Sequence, residues 1–373
     1  MSMLAFLPWL QITTHQNAAE FQLVPFQRGL APAGQGTPEQ DILDGVLAPY
    51  HAGGAPIAYA TLIQTTGGNL TRDLSDEERG ALFIFSELLS VAGLSARELF
   101  GPGGMGYRNR DSFRLVIQGF SDDHHGTAIT TRRRDGSTTN YLTEDDYHVQ
   151  KPEHIPLPHG NTALDFKLLE PLLDYRESKD WEAIYEAILG FNLANTDSSD
   201  ISEHIEAVLL VSALERLFEC PHGKEDDLAK HFSASVKPTE TIDPNTVFTS
   251  SQTLKFKKSK SVRDMWIRDF FRLRGNLAHG KIESKYPPEW SLRNHLLLGS
   301  FVFPLALKLK LQASNVYQLT EHDCEAIDMF EKQLLHDHFA PVENRHNHSA
   351  YPWNRVKDEA DQRRLGWSEK DFF

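Results

Sequence analysis

The pattern of apolar and polar positions changes character near residue 160. Before it, apolar residues come in short runs such as FQLVPF (21–26), PIAYATLIQ (56–64) and FRLVIQGF (113–120). Runs of this composition, bounded by Gly, Pro and Thr, predict strands. TAITTRRRDGSTTNYL (127–142) predicts a hairpin turning at Asp135-Gly136, since Asp-Gly suits a tight turn. One helix interrupts the strands. SDEERGALFIFSELLSVAG (75–93) opens with Ser75 and Glu78 in capping-box spacing and ends near Gly93. The proline-rich QKPEHIPLPHGN (150–161) predicts a linker.

Beyond the linker the period becomes helical. ALDFKLLEPLLDY, DWEAIYEAILGFNLANT, DISEHIEAVLLVSALERLFE, KEDDLAKHFSASV, SVRDMWIRDFFRLRGNLAHG, EWSLRNHLLLGSFVFPLALKLKLQ and TEHDCEAIDMFEKQLLH follow in that order. In the third of these, apolar residues wrap almost all round the wheel, which predicts a central buried helix. The expected fold is α+β: a mixed, β-rich N-terminal domain (1–160), a helical domain (161–340) and a polar tail (341–373). A chain of 373 residues is too long for one ordinary core, which agrees with two domains.

Composition narrows the setting. Apolar residues make up 40% and charged residues 24%, values of a globular rather than a disordered chain. Two cysteines, Cys220 and Cys324, are too few for a disulfide framework or a Cys-based zinc site, and a reducing, cytoplasmic environment is expected. The apolar run HLLLGSFVFPLAL is too short for a bilayer and contains a proline, and MSMLAFLPWL lacks the basic start of a signal peptide, so no membrane association is expected.

Net charge is −14, which argues against a general nucleic-acid coat. One stretch reverses the sign. Leu254–Arg274 carries eight basic residues against Asp264 and Asp269, a local +6. Such a run is either a solvated helix face or an electrostatic guide for a phosphate backbone.

Three motifs carry little. GPGGMG (101–106) satisfies G-x-G-x-x-G, but it follows a helical segment and precedes a loop into a strand, the wrong context for a dinucleotide site. DDHH (122–125) and His336, His338, His346 and His348 lack a second cluster at metal spacing, and neither a metal nor a cofactor is expected. The sequons at Asn69 and Asn347 have no secretory context.

RLRGNLAHG (272–280) carries more, for it places a cation and an imidazole close in sequence between two glycines. Residues five apart on a straight helix point about 140° from each other. If the helix loosens between Gly275 and Gly280, Arg274 and His279 can turn into one pocket. If it does not, His279 is an ordinary helix terminus and Gly280 its left-handed cap.

ISEHIEAVLLVSALERLFE, KEDDLAKHF and IRDFFRLRGNLAHGK, in this order and separation, resemble the HEPN superfamily, in particular its ApeA-like branch. The resemblance covers about residues 165–340; residues 1–160 resemble nothing identified. It implies metal-independent RNA cleavage by an R-x4–6-H motif in a dimer whose two motifs share a cleft. Carried over, Arg274 and His279 are the motif pair, Asn276 the supporting polar residue and Glu215 the acidic residue of the earlier helix. This chain departs from the family in having Gly275 directly after the arginine. Arg272, seven residues from His279, also fits the wider spacing, so either arginine could serve. Arg268, Arg272, Lys258 and Lys281 are candidates for holding substrate. The implied setting is antiphage or toxin-like defence, with the N-terminal domain as sensor or substrate selector and a phage-derived or antitoxin protein as partner.

The residue types suit that chemistry. Histidine transfers protons near neutrality, and arginine offers a permanent bidentate fork to phosphate oxygens. A carboxylate at Glu215 needs a partner, either as an orienting group for Arg274 or Asn276 or as a plain buried salt bridge. The rival reading is a non-catalytic HEPN-like module that binds RNA, nucleotide or a partner protein. A metal-dependent nuclease built on the histidines is a further rival, excluded by activity in EDTA.

Overall fold

The computed structural model describes residues 2–97, 108–120, 127–133, 136–142, 147–156, 161–220, 223–280, 287–336 and 339, with 127–133 and 136–142 as backbone only. GPGGMG, Asp135, DDHH, Lys281, His338, His346, His348 and the tail from residue 341 therefore lie outside the described residues. The chain is α+β, with an antiparallel β-rich unit followed by a helical one. The first unit runs through Ala96 and from Arg108 to Asp174, and the second contains Tyr175 onward. The break thus falls after the helix α3 (Phe166–Asp174), not in the proline-rich stretch, because α3 packs on the long helix of the first unit.

That unit is built on β1 (Ser2–Leu7), which pairs antiparallel with β6 (Tyr59–Thr65) on one side and β8 (Val116–Phe120) on the other. The order continues outward through β9 (Thr127–Arg133) and β10 (Gly136–Leu142) at one edge, and β3 (Phe21–Gln27) and β2 (Gln16–Ala18) at the other. β9 and β10 pair as the expected hairpin, with Gly136 opposite Arg133, and Arg134 and Asp135 between them lie outside the described residues. On one face Leu4, Phe6, Val24, Phe26 and Leu62 form a core with Leu43, Val46 and Leu47 of α1 (Pro38–Leu47). On the other, Phe21 stacks on Phe85 of α2 (Asp76–Ser95), ring centroids 4.3 Å apart. Burial on both faces explains why β1 reads as an unbroken apolar run.

Two of the elements that the pattern does not predict bear on this core. SMLAFL (2–7) is a central strand, and α1 carries its own start signal, since Thr37 caps it and Pro38 occupies its first turn. The capping box of α2 is present, with Ser75 and Glu78 each accepting from the other's backbone N–H.

In the helical unit α4 (Trp181–Leu193) and α5 (Glu203–Leu217) pack against each other. α5 also touches α9 (Val262–Ala278) and α10 (Leu292–Ala313), so it is the central helix its pattern predicts. α6 (Glu225–Ser235) and α11 (Glu321–Leu335) lie against α9, and two short helices, α7 (Pro244–Val247) and α8 (Ser250–Lys255), lead into it. The α5–α9–α10 crossing closes on Gly299. A Cβ there would stand 2.6 Å from Leu210 and 3.1 Å from Phe270, so only glycine lets the three helices approach this closely.

α10 is longer than its apolar run suggested. By length and composition its 22 residues could cross a bilayer, but 61% of its apolar window is buried inside the protein. Asp269 pins the chain that enters α10, accepting from the N–H groups of Glu289 (2.9 Å) and Trp290 (3.0 Å) and contacting His295 Nε2 at 3.0 Å. Those bonds hold α10 to α9 on a fully buried histidine.

Candidate active site

α9 carries most of the candidate residues, so its ends decide the geometry. Ser261 caps it, accepting from Asp264 N–H at 3.2 Å. The helix then runs unbroken through Gly275 to Ala278. His279 is the C-cap, its N–H donating to Gly275 O, and Gly280 follows at φ +64°. This is the left-handed ending that glycine favours. Of the two alternatives the structure takes the cap: the helix does not loosen between the glycines, because Gly275 O keeps its helical bond and only Gly280 leaves the helix.

Continuity separates Arg274 from His279 by about 140° around the axis. Arg274 points toward α5, where its guanidinium donates to Glu215 Oε2. Its carbon also sits 5.3 Å from the Phe271 ring centroid. Glu215 is buried, and among the described residues its Oε1 has no hydrogen-bond partner. Among the described residues nothing pairs Glu215 with Asn276, so of the two partners considered it is Arg274 that meets the carboxylate. The Arg274 side chain keeps 26% of its surface exposed, and His279 is exposed at the helix end.

Arg268, Arg272, Asn276 and His279 follow one another at steps of four, four and three, and so share a different face of α9. Arg272 is clamped there. Its Nε and Nη2 donate to both oxygens of Glu225 at 2.8 and 2.7 Å, its Nη1 to Lys255 O at 2.8 Å, and its plane lies over Phe256 at 4.4 Å. Arg268 donates to Asp264 (2.8 Å), Asp226 (2.6 Å) and Glu225 (3.2 Å). Lys258 pairs with Asp226 at 2.6 Å. Hydrogen bonds from Lys258 and Arg268 push the Asp226 carboxyl down to about 2. Burial opposes the charge on Arg268, but Asp226 and Asp264 outweigh it and raise its pKa.

These contacts bear on both readings of the basic run, the solvated face and the electrostatic guide. Of the eight basic residues in 254–274, six form ion pairs: Lys255 with Glu289, Arg263 with Glu331, Arg274 with Glu215, and Lys258, Arg268 and Arg272 with the acids of α6. Most of the local +6 is answered inside the fold by carboxylates distant in sequence. The substrate-holding candidates Lys258, Arg268 and Arg272 nevertheless line one open groove of about 500 Å³, together with Glu225 and Asp226. Glu225 and Asp226 were missed as members of this region. Acids in a first helical turn are ordinary, and nothing in KEDDLAKHF tells which cation they meet.

Among the described residues no group of three or more His, Cys, Asp or Glu could hold a metal ion. Cys220 is buried beside Glu215, and burial, with Glu215 and Asp227 nearby, pushes its thiol up to about 11, which leaves it unreactive near neutral pH. Comparison with known proteins finds no matching family model, curated protein or solved structure.

Proposed function

We propose that the chain is a metal-independent endoribonuclease of HEPN type, working as a homodimer with Arg274 and His279 as the motif pair. The observation that supports this best is the Glu215–Arg274 contact. It joins, across two helices, the acid and the arginine that the resemblance singles out. One Nη2 hydrogen is spent on Glu215, so the fork retains donors for a phosphate, and the exposed imidazole of His279 can reach a ribose hydroxyl.

In the reaction the 2′-oxygen attacks phosphorus while an imidazole takes the hydroxyl proton. Arg274 stabilises the charge that grows on the phosphorane oxygens. The P–O5′ bond then breaks, the departing oxygen gains a proton from a second imidazole, and the other fragment ends in a 2′,3′-cyclic phosphate. Two imidazoles are needed, and two copies of the chain provide them. The 140° between Arg274 and His279 within one chain points the same way, since one motif cannot close on one phosphate by itself.

That same separation favours the rival reading, a module that binds RNA, nucleotide or protein without cutting. Incubating the protein with RNA in EDTA separates the two. Fragments bearing cyclic phosphate, lost in His279→Ala at unchanged melting temperature, support the nuclease. RNA left intact at high protein concentration leaves the binding module.

A further inference from the structure

We propose that the groove between the start of α6 and the α8–α9 segment binds the phosphate backbone of a single RNA strand and leads it along α9 toward His279. This rests on RNA being the ligand, though not on its being cut.

Charge is the first argument. Lys224 and Lys257 are exposed and unpaired among the described residues, and Lys255, Lys258, Arg268 and Arg272 join them on the groove wall. Glu225 and Asp226 on the wall, with Glu289 on Lys255 and Asp264 on Arg268, answer four of these six charges, so the groove stays cationic through Lys224 and Lys257 on a chain whose net charge is −14. Such a local reversal draws a polyanion to this surface and to few others.

Shape is the second. The space, about 500 Å³ and open to solvent, takes a single strand but not a duplex. Leu254, 60% exposed at its rim, offers apolar surface beside the cations, as strand-binding surfaces do for bases and ribose.

The third is the arrangement of donors. Arg272 already presents two parallel N–H groups to the two oxygens of Glu225 at 2.8 and 2.7 Å, the fork geometry with which arginine takes a phosphate. Asp226 is half exposed and its pair with the exposed Lys258 contributes little, so a phosphate can take its place on Lys258, while on Arg272 a phosphate replaces the fork contact of Glu225 with one of the same geometry. From Arg268 the same face passes Arg272 and Asn276 to reach His279 about 16 Å further along the axis. Glu225 and Asp226 thus hold the places that two phosphates take in the complex.

The test is fluorescence anisotropy with a short labelled single-stranded RNA, 2′-O-methylated so that it cannot be cut, at low and high salt. Lys224→Glu with Lys257→Glu should weaken binding at least about tenfold and flatten its salt dependence, with the melting temperature unchanged because neither lysine has a partner to lose among the described residues. Glu225→Gln with Asp226→Asn should tighten binding. Unchanged affinity in the lysine variant overturns the proposal, as does displacement of the strand by equimolar free nucleoside triphosphate, which would mark a nucleotide site. If the carboxylate variant unfolds, the lysine variant still decides. Wild-type cleavage of RNA with unaltered binding in the lysine variant removes the groove and keeps the nuclease. Groove-dependent binding without cleavage does the reverse.

Discussion

Glu215 and Arg274, 59 residues apart in sequence, form an ion pair between α5 and α9 with the carboxylate buried and the guanidinium a quarter exposed. Arg272, two residues earlier, is instead spent on Glu225 and Phe256 on another face. The two arginines of RLRGNLAHG therefore have different work, and mutation should separate them.

Arg274→Ala should reduce RNA cleavage by about 10²–10³-fold, the scale of losing a well-placed charge-stabilising donor. Arg272→Ala should cost about 1 kcal/mol of stability, since a charged hydrogen-bonded contact and an aromatic stack are lost together. Initial rates at saturating RNA, where weaker strand binding at Arg272 does not register, and chemical denaturation on both variants check this. Equal loss of rate in the two would show that the face shared with His279, not the Glu215 pair, holds the scissile phosphate.

Glu215→Gln keeps the shape but removes the charge that holds Arg274. Cleavage should fall by about tenfold or more while denaturation shifts by about 1–3 kcal/mol, the range for an impaired buried charged contact. A variant that is equally destabilised yet fully active would reduce the pair to a structural one.

Gly299→Ala should destabilise the helical unit by about 1–3 kcal/mol, the usual cost of overpacking. The added methyl meets Leu210 and Phe270 at the crossing that brings α5 to α9. Thermal melting measures it; an unshifted transition would mean that the crossing has slack.

Glu206 sets a pH dependence. Burial, with Asp197 and Glu203 nearby, raises its pKa from 4.5 to about 7. Between those values the folded chain binds a proton that the unfolded chain has released, so stability falls as pH rises through that window. Glu206→Gln should flatten the slope and be about 2 kcal/mol more stable than the parent near pH 8. Urea midpoints at about pH 5 and pH 8 test it; parallel profiles for the two proteins would refute it.

Local signals were legible where one element contains its own cause. Ser75 and Glu78 name the start of α2 because both halves of the box lie within one turn. The helical wheel of α5 predicts burial all round, and α4, α9 and α10 supply it on every face but the one that carries Ile205 and Arg216, which stays exposed. Thr37-Pro38 was equally local and was overlooked amid strand-like neighbours. The boundary after Asp174 was not legible, because a proline-rich stretch resembles a linker whether or not the next helix folds back.

Period and capping are properties of neighbours in the chain, and they determined by themselves where most of the helices and five of the strands lie and that the protein is α+β. Which charges meet was decided only in three dimensions. The +6 counted over 254–274 sums over sequence, whereas its compensation comes from Glu215, Glu225, Asp226, Glu289 and Glu331. Coulomb attraction acts over a few ångströms of space, and folding alone chooses which residues share that space.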